Sequence, residues 1–242
     1  MKKRHIILWL IIIVLNACSL GNYMMPGKVE IQRHKLIAFD TLRIDGMVEV
    51  QLVSDTTYFA DIICPKNLHH HVELRQHNGN LHIGQHIGAR FVGGYDLVRI
   101  ELHTPSLRDL WAYSPCLIGT ADTFATPSMG LVCRAAVVEA NLCIKADYLH
   151  IISSWGEDAH AQICLSGQVR HLEAEIFGTC HLNSEAMQTN HTDLKHESLA
   201  NIHIGPAQTL HIDNQKGIGH TYYIGQPTIS IVGDAARVSP KP

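Results

Sequence analysis

Residues 172–177 read Leu172-Glu173-Ala174-Glu175-Ile176-Phe177, and the alternation inside this stretch decides how the chain folds. Side chains on a β-strand alternate with a period of two, so Leu172, Ala174 and Ile176 share one face while Glu173 and Glu175 share the other. A helix would gather residues 172, 175 and 176 on one side and set a glutamate among the apolar groups. The stretch reads as a strand with one buried face. Similar segments open at Leu110, Leu131, Leu149, Leu194, Leu210 and Ile229, and with Leu172 in its place the intervals are 21, 18, 23, 22, 16 and 19 residues. Each is followed by a small or polar turn, such as Gln215-Lys216-Gly217, and then by a second short strand, such as VVEANLCI at residues 137–144. Two or three strands in a repeat of about 20 residues is the arithmetic of a parallel β-helix, whose coils bury their apolar faces only by stacking on one another.

Outward from this repeat, the first half alternates in shorter runs: Leu42 and Ile44; Val48, Val50 and Leu52; Val72 and Leu74; Leu81 and Ile83. No stretch of twelve residues keeps a helical stripe with caps, so the expectation is an all-β chain. Residues 36–103 read as an N-terminal β region of short strands and residues 104–242 as the β-helical repeat region. Alternatively, residues 36–238 form one continuous domain. A leucine-rich repeat has a similar period, but its Leu-x-x-Leu-x-Leu and Asn spacing is absent. A β-sandwich, with strands every 8 to 12 residues, stays open as an alternative.

Phe39-Asp40-Thr41-Leu42-Arg43-Ile44-Asp45-Gly46, followed by Val48-Glu49-Val50-Gln51-Leu52, resembles the opening F-x-x-I-x-V-x-G-x-x-x-V-x-L of the auto-transporter adhesin head GIN domain family. Tyr222-Tyr223-Ile224-Gly225-Gln226-Pro227 is similar to that family's Y-x-G-x-P close. The resemblance implies a right-handed parallel β-helix and an adhesin role in the cell envelope, and offers no catalytic residues. The family's Ser-Gly-x-Gly turns survive only in degenerate form, as at Phe177-Gly178-Thr179 and Lys216-Gly217-Ile218-Gly219, which puts the regularity of those corners in question.

The N-terminus has the order of an export signal: basic Lys2 to His5, ten apolar residues from Ile6 to Leu15, and then Leu15-Asn16-Ala17-Cys18. Ten residues are too few to span a bilayer, which takes about 20. Leu15-x-Ala17-Cys18 resembles the bacterial lipobox, so residues 1–17 are expected to be a signal peptide, Cys18 the lipidation site and residues 18–35 a lipidated tether. Such a chain is exported and anchored to a membrane, with Ser19 favouring the outer membrane. The remaining cysteines are Cys64, Cys116, Cys133, Cys143, Cys164 and Cys180, with no C-x-x-C pair. Cys143 and Cys164 stand about one coil apart, which allows a disulfide between neighbouring coils. The formal charge is -3, and losing Lys2, Lys3 and Arg4 with the leader takes it to -6. That balance argues against nucleic acid as a partner.

With Val138, Ala140, Leu142 and Ile144 inside, the second strand of each coil presents polar side chains outward. Asn141, His160, Gln162, His181, Asn183 and His203 form a stacked ladder whose donors and acceptors suit an extended cell-surface polysaccharide or a protein partner. Trp111, Tyr113 and Trp155 are candidate stacking platforms for sugar rings on the same surface. Eighteen histidines, above all His69-His70-His71, raise the question of a metal. On a strand at most His69 and His71 share a face, and no HExxH or Cys-His spacing accompanies them, so neither a metal nor a cofactor is expected. The reading is a noncatalytic binding or structural module. The alternative is a carbohydrate-active enzyme, hydrolase or lyase, on the same β-helix, with Glu173 and Glu175 as its carboxylate pair.

Overall fold

A computed structural model describes residues 27–85, 97–153 and 160–241. The leader, Cys18 and Trp155 lie outside the described residues. The first part of the chain forms β1 (Val29–Lys35), β2 (Thr41–Asp45), β3 (Val48–Ser54), β4 (Phe59–Pro65), β5 (Val72–His77), β6 (Asn80–Gln85) and β7 (Val98–Thr104). Four shorter strands follow: β8 (Asp109–Ala112), β9 (Cys116–Thr120), β10 (Phe124–Ala125) and β11 (Ser128–Cys133). Three long bent strands come next, β12 (Val137–Ile152), β13 (His160–Gly178) and β14 (His181–Ser198). The chain closes with β15 (Ile202–Ile204), β16 (Thr209–Asp213), β17 (Thr221–Tyr223), β18 (Thr228–Val232) and β19 (Val238–Pro240).

These strands wind into a β-solenoid. One sheet stacks β2, β8, β11, the second halves of β12, β13 and β14, then β16 and β18, all in parallel. The other stacks β3, β9, the first halves of β12, β13 and β14, then β15, β17 and β19, again in parallel. Parallel pairing from coil to coil excludes the β-sandwich, which is built from antiparallel sheets. The facing follows the alternation in the sequence: Leu172, Ala174 and Ile176 are fully buried, and Val138, Ala140, Leu142 and Ile144 lie inside. Glu173 and Glu175 point outward.

The N-terminal region belongs to the same stack, but out of chain order. β2 lies between β6 and β8, and β3 lies between β7 and β9. The coil made of β6 and β7 therefore sits outside the coil that precedes it in sequence, and the chain returns past that coil to continue the solenoid. Antiparallel strands cover this end: β5 on β6, β4 on β7, and β1 on β4. Val29–Lys35, expected within the tether, is thus already a strand. Arg33 of β1 fixes it with two hydrogen bonds to Asp61, at 2.8 and 2.6 Å.

The interior changes along the axis. Around β2, β3 and β6 to β9 it is aliphatic, with Leu42, Ile44, Val50, Ile83, Ile100 and Leu110 inaccessible to solvent. From β14 onward the inward positions include Ser184, Thr189, Thr192, His196, Ser198, Asn214 and Thr221, all buried. Each makes hydrogen bonds. Ser198 Oγ donates toward the carbonyls of Gly178 (3.1 Å) and Cys180 (2.7 Å), and Asn214 exchanges two 2.8 Å bonds with the Asp234 backbone. Ser184, Thr189, His196, Ser198 and Asn214 satisfy backbone groups that a tight coil cannot pair in its ladder, while Thr192 pairs with Thr189 and Thr221 with His196.

The six cysteines among the described residues are free thiols. Register explains why Cys143 and Cys164 are not joined: Cys143 stands opposite Ser166, and Cys164 opposite Asn141. The spacing of 21 residues misses a coil by two positions here. His69, His70 and His71 form the end of a 3-10 helix, Lys66–His71, not a strand. His69 is buried with Nε2 3.2 Å from the Glu30 carbonyl, and the His70 and His71 rings lie 3.9 Å apart.

Candidate functional site

Coil stacking sorts the predicted ladder into columns on the outer face of the sheet that contains β3. Asn141, Cys164, Asn183, His203, Tyr222 and Ser239 follow one another in register from β12 to β19. Glu139, Gln162 and His181 form the neighbouring column. His160 stands opposite Val137 at the start of β13, one position further out, with its ring 5.9 Å from that of His181. All six ladder residues therefore share one face, spread over adjacent columns. A shallow depression of about 300 Å³ opens between Asn141, Cys164 and Asn183.

At its C-terminal end the column becomes aromatic and charged. The Tyr222 ring lies 5.2 Å from His203 and 4.5 Å from His220. Glu185 accepts a 2.6 Å hydrogen bond from Lys241 Nζ and lies 2.8 Å from His203 Nδ1. The Lys241 hydrogen bond holds the Glu185 carboxyl below the usual carboxylate range, with His203 adding to it.

Toward the bend between the two sheets, the same face runs into a larger feature that the sequence did not reveal. Lys145, Gln168 and Gln188 stack in register at the bends of β12, β13 and β14. They border two open depressions, of about 640 and 330 Å³, that share Gln168 and Asn190 and so join end to end along the solenoid axis. Arg170 and Asp147, on neighbouring coils, form an ion pair at 3.3 Å in the lining of the larger one, and Gln208 lines the far end. A signal for this groove does exist: Lys145, Gln168, Gln188 and Gln208 recur at 23, 20 and 20 residues, the coil period carried by polar residues. Hydrophobic periodicity is blind to it.

The aromatic platforms are elsewhere. Trp111 of β8 stands in register with Arg43 and Val132, on the other sheet, and Tyr113 follows it. Their rings stack at 6.1 Å, with the Arg43 guanidinium 4.1 Å above Tyr113 and Arg134 6.0 Å from Trp111. Among the described residues, Trp111 and Tyr113 do not share the surface of the polar ladder as expected, because β8 belongs to the opposite half of its coil.

Glu173 and Glu175 also lie on that other sheet. Glu173 accepts a hydrogen bond from the Tyr148 hydroxyl, and Lys195 Nζ is 3.4 Å from Glu175. Burial, together with the Glu173 hydrogen bond, pushes the Tyr148 hydroxyl up to about 12. Hydrolysis needs one carboxyl kept protonated by an apolar pocket. These two instead face donors and a cation in a shallow, open depression of about 320 Å³.

The family model described as "putative auto-transporter adhesin, head GIN domain" matches residues 38–227. No match to the sequence was found among curated proteins. Several solved structures resemble the fold, and three of them illustrate the range. A putative adhesin from Bacteroides fragilis NCTC 9343 is 15% identical, with 85% of this chain and 94% of that one covered and a TM-score of 0.75. A putative adhesin from Parabacteroides distasonis ATCC 8503 is 15% identical over 86% of this chain and 95% of that one, with a TM-score of 0.59. A putative lipid binding protein from the same organism is 16% identical over 86% of this chain and 94% of that one, with a TM-score of 0.53.

Proposed function

Since the chain belongs to the putative auto-transporter adhesin head GIN domain family, we propose that it is a noncatalytic binding module of the cell envelope that holds an extended, hydroxyl-rich polymer along its solenoid axis. The observation that carries this reading is the groove of Lys145, Gln168 and Gln188, two depressions joined along the solenoid axis on the same face as the Asn141–Asn183 column. Stacked coils repeat a carboxamide at the strand spacing of about 4.8 Å, on the scale of one sugar ring. Carboxamides both donate and accept, which suits hydroxyls of either orientation. One solved neighbour is named a lipid binding protein. The carboxamide lining of this groove favours hydroxyls over acyl chains.

The noncatalytic character rests on the pairing of Glu173 and Glu175 described above, and the anchor rests on Leu15-x-Ala17-Cys18. In this reading Cys18 is acylated and residues 19–28 link the lipid to β1, holding the solenoid at an outer-membrane surface. A glycan array read in parallel with an assay for released reducing ends tests the binding function. Binding without release, weakened at least tenfold by the double change Gln168→Ala and Gln188→Ala, is the expected result. Release of reducing ends would establish the enzyme instead. Cys18→Ser should move the protein out of the membrane fraction; a variant that stays with the membranes would remove the anchor.

A further inference from the structure

We propose that His150, Glu173 and Glu175 form a binding site for a divalent transition-metal ion of the zinc class. His150 on β12 stands directly opposite Glu173 on β13, and Glu175 is the next outward residue on the same strand. The potential ligand atoms of the three side chains all lie within 4.8 Å of one another. The imidazole supplies the decisive observation: His150 Nε2 has no solvent access and no hydrogen-bond partner, although it is directed at Glu175 Oε1, 3.6 Å away. A buried ring nitrogen without a partner costs free energy that a coordinate bond would recover.

The donor set defines the class of ion. Three protein ligands, imidazole nitrogen and carboxylate oxygen, with a fourth position left to water, are a pattern zinc accepts, at bond lengths of about 2.0–2.2 Å. Donors around such an ion stand roughly 3.4 Å apart, so the ligand atoms, now within 4.8 Å of one another, would draw together on binding. Calcium and magnesium take oxygen ligands and have no use for the imidazole. Two carboxylates also balance the charge of a divalent cation.

The surroundings are arranged for such a change. The Tyr148 hydroxyl already orients Glu173, in the manner of the hydrogen bonds that support metal-ligating carboxylates. Lys195, which now lies 3.4 Å from Glu175, is also 3.6 Å from Glu197, so it can release the first carboxylate and remain paired. Asp193 stands opposite Glu173 on the next coil, held 2.7 Å from His171. A second group, Asp61, Glu101 and His103, has similar spacing but lacks this freedom. There Arg33 binds both oxygens of Asp61, and Arg99 donates to Glu101 at 2.8 Å. A cation entering that group would have to displace two guanidinium groups. The sequence conceals the proposed site because His150 and Glu173 are 23 residues apart and meet only through coil register.

Titration of the purified protein with cobalt(II), followed by its visible absorption and by displacement with zinc(II), tests the proposal. The expected result is one equivalent bound in a low-symmetry nitrogen and oxygen environment. His150→Ala and Glu175→Gln should each weaken it at least tenfold while circular dichroism stays that of the parent. His103→Ala should leave it unchanged. The proposal is overturned if the parent binds no ion, if folded His150→Ala binds as the parent does, or if the bound ion is lost on changing His69 and His71 but not His150.

Discussion

The coils around β2, β3 and β6 to β9 and the coils from β14 onward share one backbone geometry and fill it differently. In the first group, alternate residues such as Leu42, Ile44, Val48 and Val50 make a dry aliphatic interior. In the second, the inward residues of the second half of β14 run Thr192, Leu194, His196, Ser198, a polar group at three positions of four. The difference teaches that coil stacking needs inward side chains of the right size with their polar atoms satisfied, rather than uniformly apolar ones. At the first end the stability comes from burial, at about 25 cal/mol per Å² of apolar surface. At the second it leans on hydrogen bonds, which contribute about 1 kcal/mol each when made and cost more when broken inside.

The largest expected effect tests the aliphatic end. Leu42, fully buried between β6 and β8, should cost about 2 to 5 kcal/mol on change to Ala, measured by chemical denaturation. A loss below about 1 kcal/mol would show that this end collapses around cavities, and the contrast between the two interiors would disappear.

A smaller effect probes the polar end. A Cβ on Gly219 would lie 1.9 Å from the Ala200 carbonyl oxygen and 3.1 Å from His196 Nε2. Gly217 is as tightly placed, 2.3 Å from the His196 carbonyl oxygen. The Gly217-Ile218-Gly219 segment is therefore a backbone strap closing over His196. Gly219→Ala should destabilise by about 1 to 3 kcal/mol, as overpacking does. Hydrogen exchange should place the loss in β14 to β17, with β2 and β3 unaffected, and a loss spread evenly over both ends would merge the two regions into one cooperative unit.

The smallest effect is a pH dependence that separates the ends. His196 Nε2 donates to the Ala200 carbonyl at 3.2 Å, which leaves Nδ1 to accept from Thr221 Oγ1 at 3.1 Å. Burial lowers its pKa below the usual value of about 6.5. The unfolded chain then takes up the proton first, so stability falls as pH drops below about 6.5 and is unchanged above it. At the other end, hydrogen bonds from Arg33 hold Asp61 below the carboxylate range, and that contribution is lost only when pH falls under about 3.9. Between pH 6 and 5 the C-terminal coils should lose amide protection while the N-terminal coils keep theirs. His196→Gln should flatten this response, and an unchanged slope would assign it to another group.

Much of the fold is legible in the sequence because its signal is local. Alternation in Leu172 to Ile176, and the recurrence of such strands at about 20 residues, depend only on a strand's two faces and on the need of each coil for a neighbour. The family motifs from Phe39 to Leu52 and from Tyr222 to Pro227 lie in this same local pattern, and the ladder from Asn141 to His203 follows from it by counting. What only the tertiary structure decided is which coil touches which. The displacement of β6 and β7 outside β2 and β3, the mismatch of Cys143 with Cys164, the axial groove of Gln168 and Gln188, and the meeting of His150 with Glu173 all depend on register between segments tens of residues apart. A one- or two-residue change in a turn resets that register without altering the hydrophobic pattern of either strand. Inward Ser184, Ser198 and His196 on β14 were hidden for a related reason: the carbonyls of His203, Gly178 and Cys180 that the serines reach, and the Thr221 hydroxyl that His196 reaches, come within range only once the coils have closed.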